Sequence, residues 1–169
     1  MKKFELTDEF VTNVFGHKLF RIKALVAFGD VEKGELGGFI EKEDNLSHDD
    51  NAWVYGNAQV SGNAWVSGNA QVSGNAQVFD NARVFGDARV CGNADYAVVA
   101  GFGRYFRTTT FFRCKDKILR VQCGCFYGDL AQFREIVKKT HGDSKYAKEY
   151  LAIADLMELH FSDKCGGEQ

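Results

Sequence analysis

Between Arg104 and Arg120 stand six basic residues, Arg104, Arg107, Arg113, Lys115, Lys117 and Arg120, against the single acid Asp116. This local charge of +5 lies in a chain whose formal charge is -2. Arginine presents a planar fork of donors that matches phosphate oxygens, and an aromatic face stacks on a base. Arg107, Arg113 and Arg120 with Thr109 therefore form a candidate phosphate site, and Tyr105 or Phe111 a candidate stacking ring. The competing reading pairs these arginines with the acidic segment 29–50, of the same or a neighbouring subunit. That segment carries eight carboxylates against Lys33 and Lys42. By itself it reads as a solvated charged face, with a metal or cationic-partner site as its alternative.

The cysteines add little chemistry. There are five, at 91, 114, 123, 125 and 165, an odd number in a chain long enough to fold without staples, so reduced thiols are expected. Cys123-Gly124-Cys125 lacks the two-residue gap of a zinc knuckle, and no second Cys or His pair stands at ligand spacing. No metal and no cofactor is expected. Whether Cys123 and Cys125 are reactive or merely buried depends on surroundings that spacing does not define.

The basic residues need elements to hold them. Arg104–Cys114 and Ile118–Cys123 are β-rich runs around the charged turn 115–117, the pattern of a hairpin. Alternation sorts the first run into Phe106, Thr108, Thr110, Phe112 and Cys114 against Tyr105, Arg107, Thr109, Phe111 and Arg113. The apolar sets are expected to cover the core together, leaving Arg107, Thr109, Arg113, Arg120 and Gln122 on the other face. Two helices follow. Asp129 is a fitting N-cap for Leu130–His141, Gly142 stops that helix, and Asp143 or Ser144 caps a second with Tyr146, Tyr150, Ile153 and Met157 at helical spacing. These stripes read as core rather than as a cofactor box. The tail SDKCGGEQ, from 164 onward above all, is expected to be disordered.

The most regular stretch is Asn51–Gly92: NAWVYG, NAQVSG, NAWVSG, NAQVSG, NAQVFD, NARVFG, DARVCG. A strict six-residue period fits neither a helix nor a plain hairpin, so the units must stack as repeats around a shared core. Val and Ala point inward, the branched Val on extended backbone, while the Gly-Asn step bends the chain because both residues tolerate left-handed conformations. Ahead of it, Phe10–Phe15 and Lys18–Phe28 around Gly16-His17 suggest a hairpin that caps the open strand edge. His17 reads as a solvated turn residue. Segment 29–50 reads as an irregular first coil, Ile40 and Leu46 keeping the six-residue step.

Read from the valine, each unit resembles the hexapeptide repeat of left-handed parallel β-helices. That resemblance implies three hexads to a coil, so that residues eighteen apart stack at about the ~4.8 Å strand spacing. Trp65 would then lie over Arg83, and Trp53 over Gln71 and Arg89. The expected class is mainly β: a left-handed parallel β-helix of about three coils over 29–98 (irregular 29–50, regular 51–98), with a hairpin cap over 1–28 and a hairpin with two helices over 99–163. Members of that superfamily are commonly trimers. The outward Tyr55, Phe79 and Phe85 are either covered by flanking segments or form a subunit interface. Its acyltransferases use a histidine base, and the hexads hold none, which leaves only His48, beside Asp49 and Asp50, for an acyltransferase-like role. The three converging histidines of a carbonic-anhydrase-like site are absent too.

A second resemblance covers residues 18 to about 160. Arg21–Leu25, Leu36–Glu41, Asn45-Leu46-Ser47, Thr109–Arg113 and Cys123–Phe126 look like short hexapeptide-repeat proteins of phages and prophages. It implies a homo-oligomeric, non-catalytic binding protein of anti-defence type, either a sponge for a phosphorylated nucleotide-like signal at a basic inter-subunit site or an inhibitor or scaffold that binds a host immune protein. A pI near 6.1 argues against general nucleic-acid binding. No apolar run is long enough for a membrane span, and MKKFELTDEF lacks a signal-peptide core, so the expected location is the cytoplasm.

Overall fold

The computed structural model describes residues 1–163; the expected disordered tail, 164–169, lies outside the described residues. The chain forms two compact units, Met1–Asn93 and a second beginning at Ala94.

The first unit is a β-solenoid with a hairpin on its first strand. Strands β1 (Phe4–Thr12) and β2 (Lys18–Ala24) pair antiparallel, and β2 pairs antiparallel with β3 (Leu36–Ile40). Seven two-residue strands follow, one per hexad: β4 (Trp53–Val54), β5 (Gln59–Val60), β6 (Trp65–Val66), β7 (Gln71–Val72), β8 (Gln77–Val78), β9 (Arg83–Val84) and β10 (Arg89–Val90). They associate in parallel as β3-β5-β8, β4-β7-β10 and β6-β9, with Val54 opposite Val72, Val60 opposite Val78 and Val66 opposite Val84. The eighteen-residue step thus holds through the hexads. Trp65 lies opposite Arg83, whose guanidinium sits 5.6 Å from the indole, and Gln71 lies between Trp53 and Arg89.

The acidic segment follows a different step. Phe39 stands opposite Gln59 and Leu46 opposite Val66, a twenty-residue offset. The two extra residues are taken up between Leu46 and Trp53, where the step returns to eighteen. In the 3-10 turn at Glu43–Asn45 ahead of it, the buried Asn45 amide donates to the carbonyls of Gly62 and Ala64 at 3.1 and 2.8 Å. Its carboxylates are partly engaged: Glu43 pairs with Lys2 at 2.6 Å and Glu41 with His17 at 3.2 Å. His17 is exposed, as expected of a solvated turn residue, and its Nδ1 also reaches Glu41.

Every hexad Val and Ala is buried, a contribution of about 1.5–3 kcal/mol for each valine. At the corners the glycines take the left-handed conformation, φ +66° at both Gly62 and Gly68, and Asp80 adopts φ +58° where its unit lacks glycine. Amide ladders join successive turns outside the core: Asn51 donates to Asn69 at 3.1 Å, and Asn69 to Asp87 at 3.2 Å. Tyr55 and Phe85 are half-buried, and Phe79 remains exposed.

Lys3 is an exception to the apolar interior. It is buried, its Nζ donating to the carbonyl of Ala52 at 2.9 Å and, at longer range, to those of Asp49 and Asp50. Burial pushes its pKa down to about 8, against the opposing pull of Asp50 and Asp49. Unfolding restores the ordinary value near 10.5, so between these limits the unfolded chain binds more protons and stability rises with pH. The urea midpoint is therefore expected to climb from pH 8 to pH 10 at fixed ionic strength. Lys3→Met should flatten that climb; an unchanged slope would assign it to other groups.

The second unit is a four-stranded antiparallel sheet with two helices. Its strands run in sequence order: β11 (Tyr96–Phe102), β12 (Arg107–Arg113), β13 (Leu119–Cys123) and β14 (Phe126–Asp129). The expected hairpin is its middle pair. Tyr96–Phe102 is a further strand of this sheet, and β14 follows β13 after a two-residue turn. Helix α1 (Leu130–His141) is capped by Asp129, whose carboxylate accepts the Gln132 N–H at 2.8 Å, and α2 (Lys145–His160) by Ser144. Both helices pack on one sheet face, where Phe111, Val121, Phe133, Val137, Ile153 and Met157 form the core.

Candidate functional site

Cross-strand register decides which basic residues meet. Arg107, Thr109, Phe111 and Arg113 share a face of β12 with Leu119, Val121 and Cys123 of β13, because Thr109 stands opposite Cys123, Phe111 opposite Val121 and Arg113 opposite Leu119. This is the helix-covered face, not the free one that alternation suggested. Arg120 stands opposite Phe112 and so points to the other side, away from Arg107 and Arg113.

The expected cluster is consequently divided. Phe111 is fully buried, 6.1 Å edge-on from Phe133, and has no face to offer a ligand. Thr109 is buried too, its hydroxyl donating to Cys123 Sγ at 3.2 Å. Arg113 is held within its own unit: Nε lies 3.4 Å from Asp95, and Nη2 donates to the carbonyls of Phe161 and Asp163. Arg120 pairs with Asp116 at 2.7 Å, and this partner with the Ile118 N–H holds Asp116 below the usual carboxylate range. For these two arginines the partner is local.

Arg107 and Tyr105 remain available, and the fold adds Arg104. All three line a cleft of about 180 Å³ between the β11–β12 connection, the β13–β14 turn and the helices. Both guanidiniums lie over the Tyr105 ring, Arg104 at 5.5 Å and Arg107 at 5.0 Å. Among the described residues neither has a carboxylate partner, whereas Arg113, Arg120 and Arg134 of the same unit all do. The inner wall is apolar, built by Phe126, Phe133, Ile136 and Val137, and His141 and Tyr150 close it with rings stacked at 5.8 Å.

Tyr150 is the hinge of this wall. Its hydroxyl donates to the Phe102 carbonyl at 3.5 Å and lies 3.9 Å from Cys123 Sγ. Burial and Cys123 push it up to about 12, so it stays protonated at neutral pH. Gly103 makes the arrangement possible. At φ +74° it occupies a conformation that side chains avoid, a Cβ there would fall on the Tyr150 hydroxyl, and its N–H donates to Glu149 at 2.9 Å. Gly103→Ala is expected to displace Tyr150 and cost about 1–3 kcal/mol. Thermal unfolding measures it, and a loss below about 0.5 kcal/mol would show that the wall repacks freely.

Sequence reasoning missed Arg104, His141 and Tyr150 as site residues. The first stands in GFGRYFR, where paired glycines flank an aromatic; His141 only marks a helix end, and Tyr150 belongs to a stripe that reads as core, which it also is.

His48 is committed elsewhere. Its Nδ1 accepts the Lys3 N–H at 3.2 Å, its ring stacks on Phe4 at 4.2 Å, and Nε2 lies 3.6 Å from Glu43. Both ring nitrogens thus face partners of the fold. Among the described residues no three His, Cys, Asp or Glu side chains converge as metal ligands, and no helix is long and apolar enough to cross a membrane.

The parallel stacking of the hexads in the first unit is that of a β-solenoid. A family model described as the YdcK beta solenoid repeat matches residues 58–74 and 76–92. Each match spans nearly one eighteen-residue step of the hexads, and neither reaches the cleft. No curated protein matches the chain.

Proposed function

We propose that this protein binds a small phosphorylated, nucleotide-like molecule in the cleft of its second unit. The observation that carries the reading is the pair Arg104 and Arg107, un-neutralised by any carboxylate among the described residues, at the mouth of an apolar cleft. The phosphate belongs at the mouth, where two forks converge on it, and not near Thr140 and His141, where helix α1 ends and its dipole repels anions. The ring of the ligand enters between Tyr105 and the apolar wall.

The reading extends to the assembly. The solenoid winds left-handed in about three coils and self-associates as a trimer through the outward aromatic residues of its hexads. Its role is sequestration of a nucleotide signal, as the likeness to phage and prophage hexapeptide proteins suggests. Native mass spectrometry with cyclic and linear nucleotides, acyl-CoA compounds and a buffer blank tests both parts. Nucleotide mass gained in proportion to subunits supports the reading; indifference to every nucleotide ends it.

One observation favours a second reading, inhibition of a protein partner. The β11–β12 connection exposes Phe102, Tyr105 and Phe106 beside two arginines, the composition of an interface hot spot. Phe106 is 72% exposed at φ +51°, a strained conformation for a bulky residue.

A further inference from the structure

A second concavity lies in the first unit, where the β1–β2 turn overhangs the outer face of β5 and β8. Its volume is about 210 Å³. Parallel register stacks Gln59 over Gln77, and the same step brings Ser61 and Phe79 to its floor. Phe15 forms the facing wall and is 70% exposed.

The overhang is fixed in place by several independent contacts. Asn13 Oδ1 accepts the N–H groups of Phe15 at 3.0 Å and His17 at 2.9 Å, which shapes the turn. His17 Nδ1 then lies 3.2 Å from one oxygen of Glu41, while the other accepts the Gly62 N–H at 2.7 Å, next to Ser61. The turn is therefore tied to the strand connection that forms the groove floor. A concavity held this way keeps its shape without a ligand, which lowers the ordering cost of binding.

The lining selects the ligand's chemistry. No ionisable side chain lines the groove, so a charged ligand would lose water without gaining a partner. A wholly apolar ligand would strip the amides and hydroxyls instead, and Gln59 and Ser61 make no side-chain hydrogen bond within the described chain to compensate. What fits both is a neutral molecule with hydroxyls around its edge and an apolar C–H face for Phe15 and Phe79. The volume is below the ~300 Å³ typical of drug-sized pockets, so one six-membered ring is accommodated. We infer that the groove between the β1–β2 turn and β5–β8 is a carbohydrate subsite for one neutral pyranose unit of a glycan.

Saturation-transfer NMR on the full chain with maltotriose, cellotriose, chitotriose and mannotriose tests this. One of the four is expected to receive saturation at the C–H protons of a single ring. Phe15→Ala and Gln59→Ala should each weaken it at least tenfold, and Arg107→Ala should leave it unchanged. Phe15 and Gln59 are not core residues, and an unaltered melting temperature confirms that the fold survives. Three results would overturn the inference: no transfer to any of the four, transfer that persists in both variants, or a groove filled by a second copy, seen as loss of oligomer in Phe79→Ala without sugar binding.

Discussion

Arg104→Ala combined with Arg107→Ala is expected to weaken binding of a phosphorylated ligand by at least about 100-fold, since each charge-assisted hydrogen bond contributes about 1.5–3 kcal/mol and 1.4 kcal/mol is tenfold. Both side chains are exposed and unpaired with carboxylates, so the melting temperature should hardly move. Arg113→Ala should behave in the opposite way. That guanidinium holds Asp95 and the carbonyls of Phe161 and Asp163, which ties β12 to the end of α2. Its loss is expected to lower stability and leave affinity within a factor of two or so. Isothermal titration with the nucleotide chosen by mass spectrometry, beside a thermal melt, reads both effects. Full affinity in the double variant would remove the cleft from consideration.

Phe111→Ala carries the largest expected loss of stability, about 3–5 kcal/mol. The ring is fully buried among Val121, Phe133 and their neighbours, between sheet and helices. A ligand-stacking ring would behave differently, costing affinity and little stability. Urea unfolding followed by far-ultraviolet circular dichroism separates the two. A loss under 1 kcal/mol would return Phe111 to the ligand.

The difference between these two outcomes marks where the sequence was legible. In the hexads every sixth position repeats one choice, and the three hexads to a coil that the resemblance implies put Trp65 over Arg83, as the structure has it. Helix ends were equally readable, because Asp129 and Ser144 satisfy N–H groups that nothing else reaches. Strand β12 was not. Thr109 through Phe112 are all buried, so adjacent residues on both faces are covered and alternation loses its meaning. Arg113 and Arg120 stand on different strands, and only the cross-strand register sends them to opposite sides. Strand β14 was hidden for another reason: four residues after a two-residue turn carry too short a pattern to read. The cleft stayed out of sight with it, since its walls come from three segments that only the sheet brings together.

The eighteen-residue step also restricts how such a chain can change length. Deleting one full step from the hexads would reconnect a valine to the stack it left, each remaining strand keeping its sheet, its Asn ladder and its neighbours. Deleting a single hexad would preserve every local preference, yet hand each later strand of the repeat to the next sheet and give its outward side chains different stacking partners. The solenoid therefore tolerates growth and shrinkage in quanta set by its circumference and not by its repeat. Gene-level duplications or losses of one hexad would be folded but rewired.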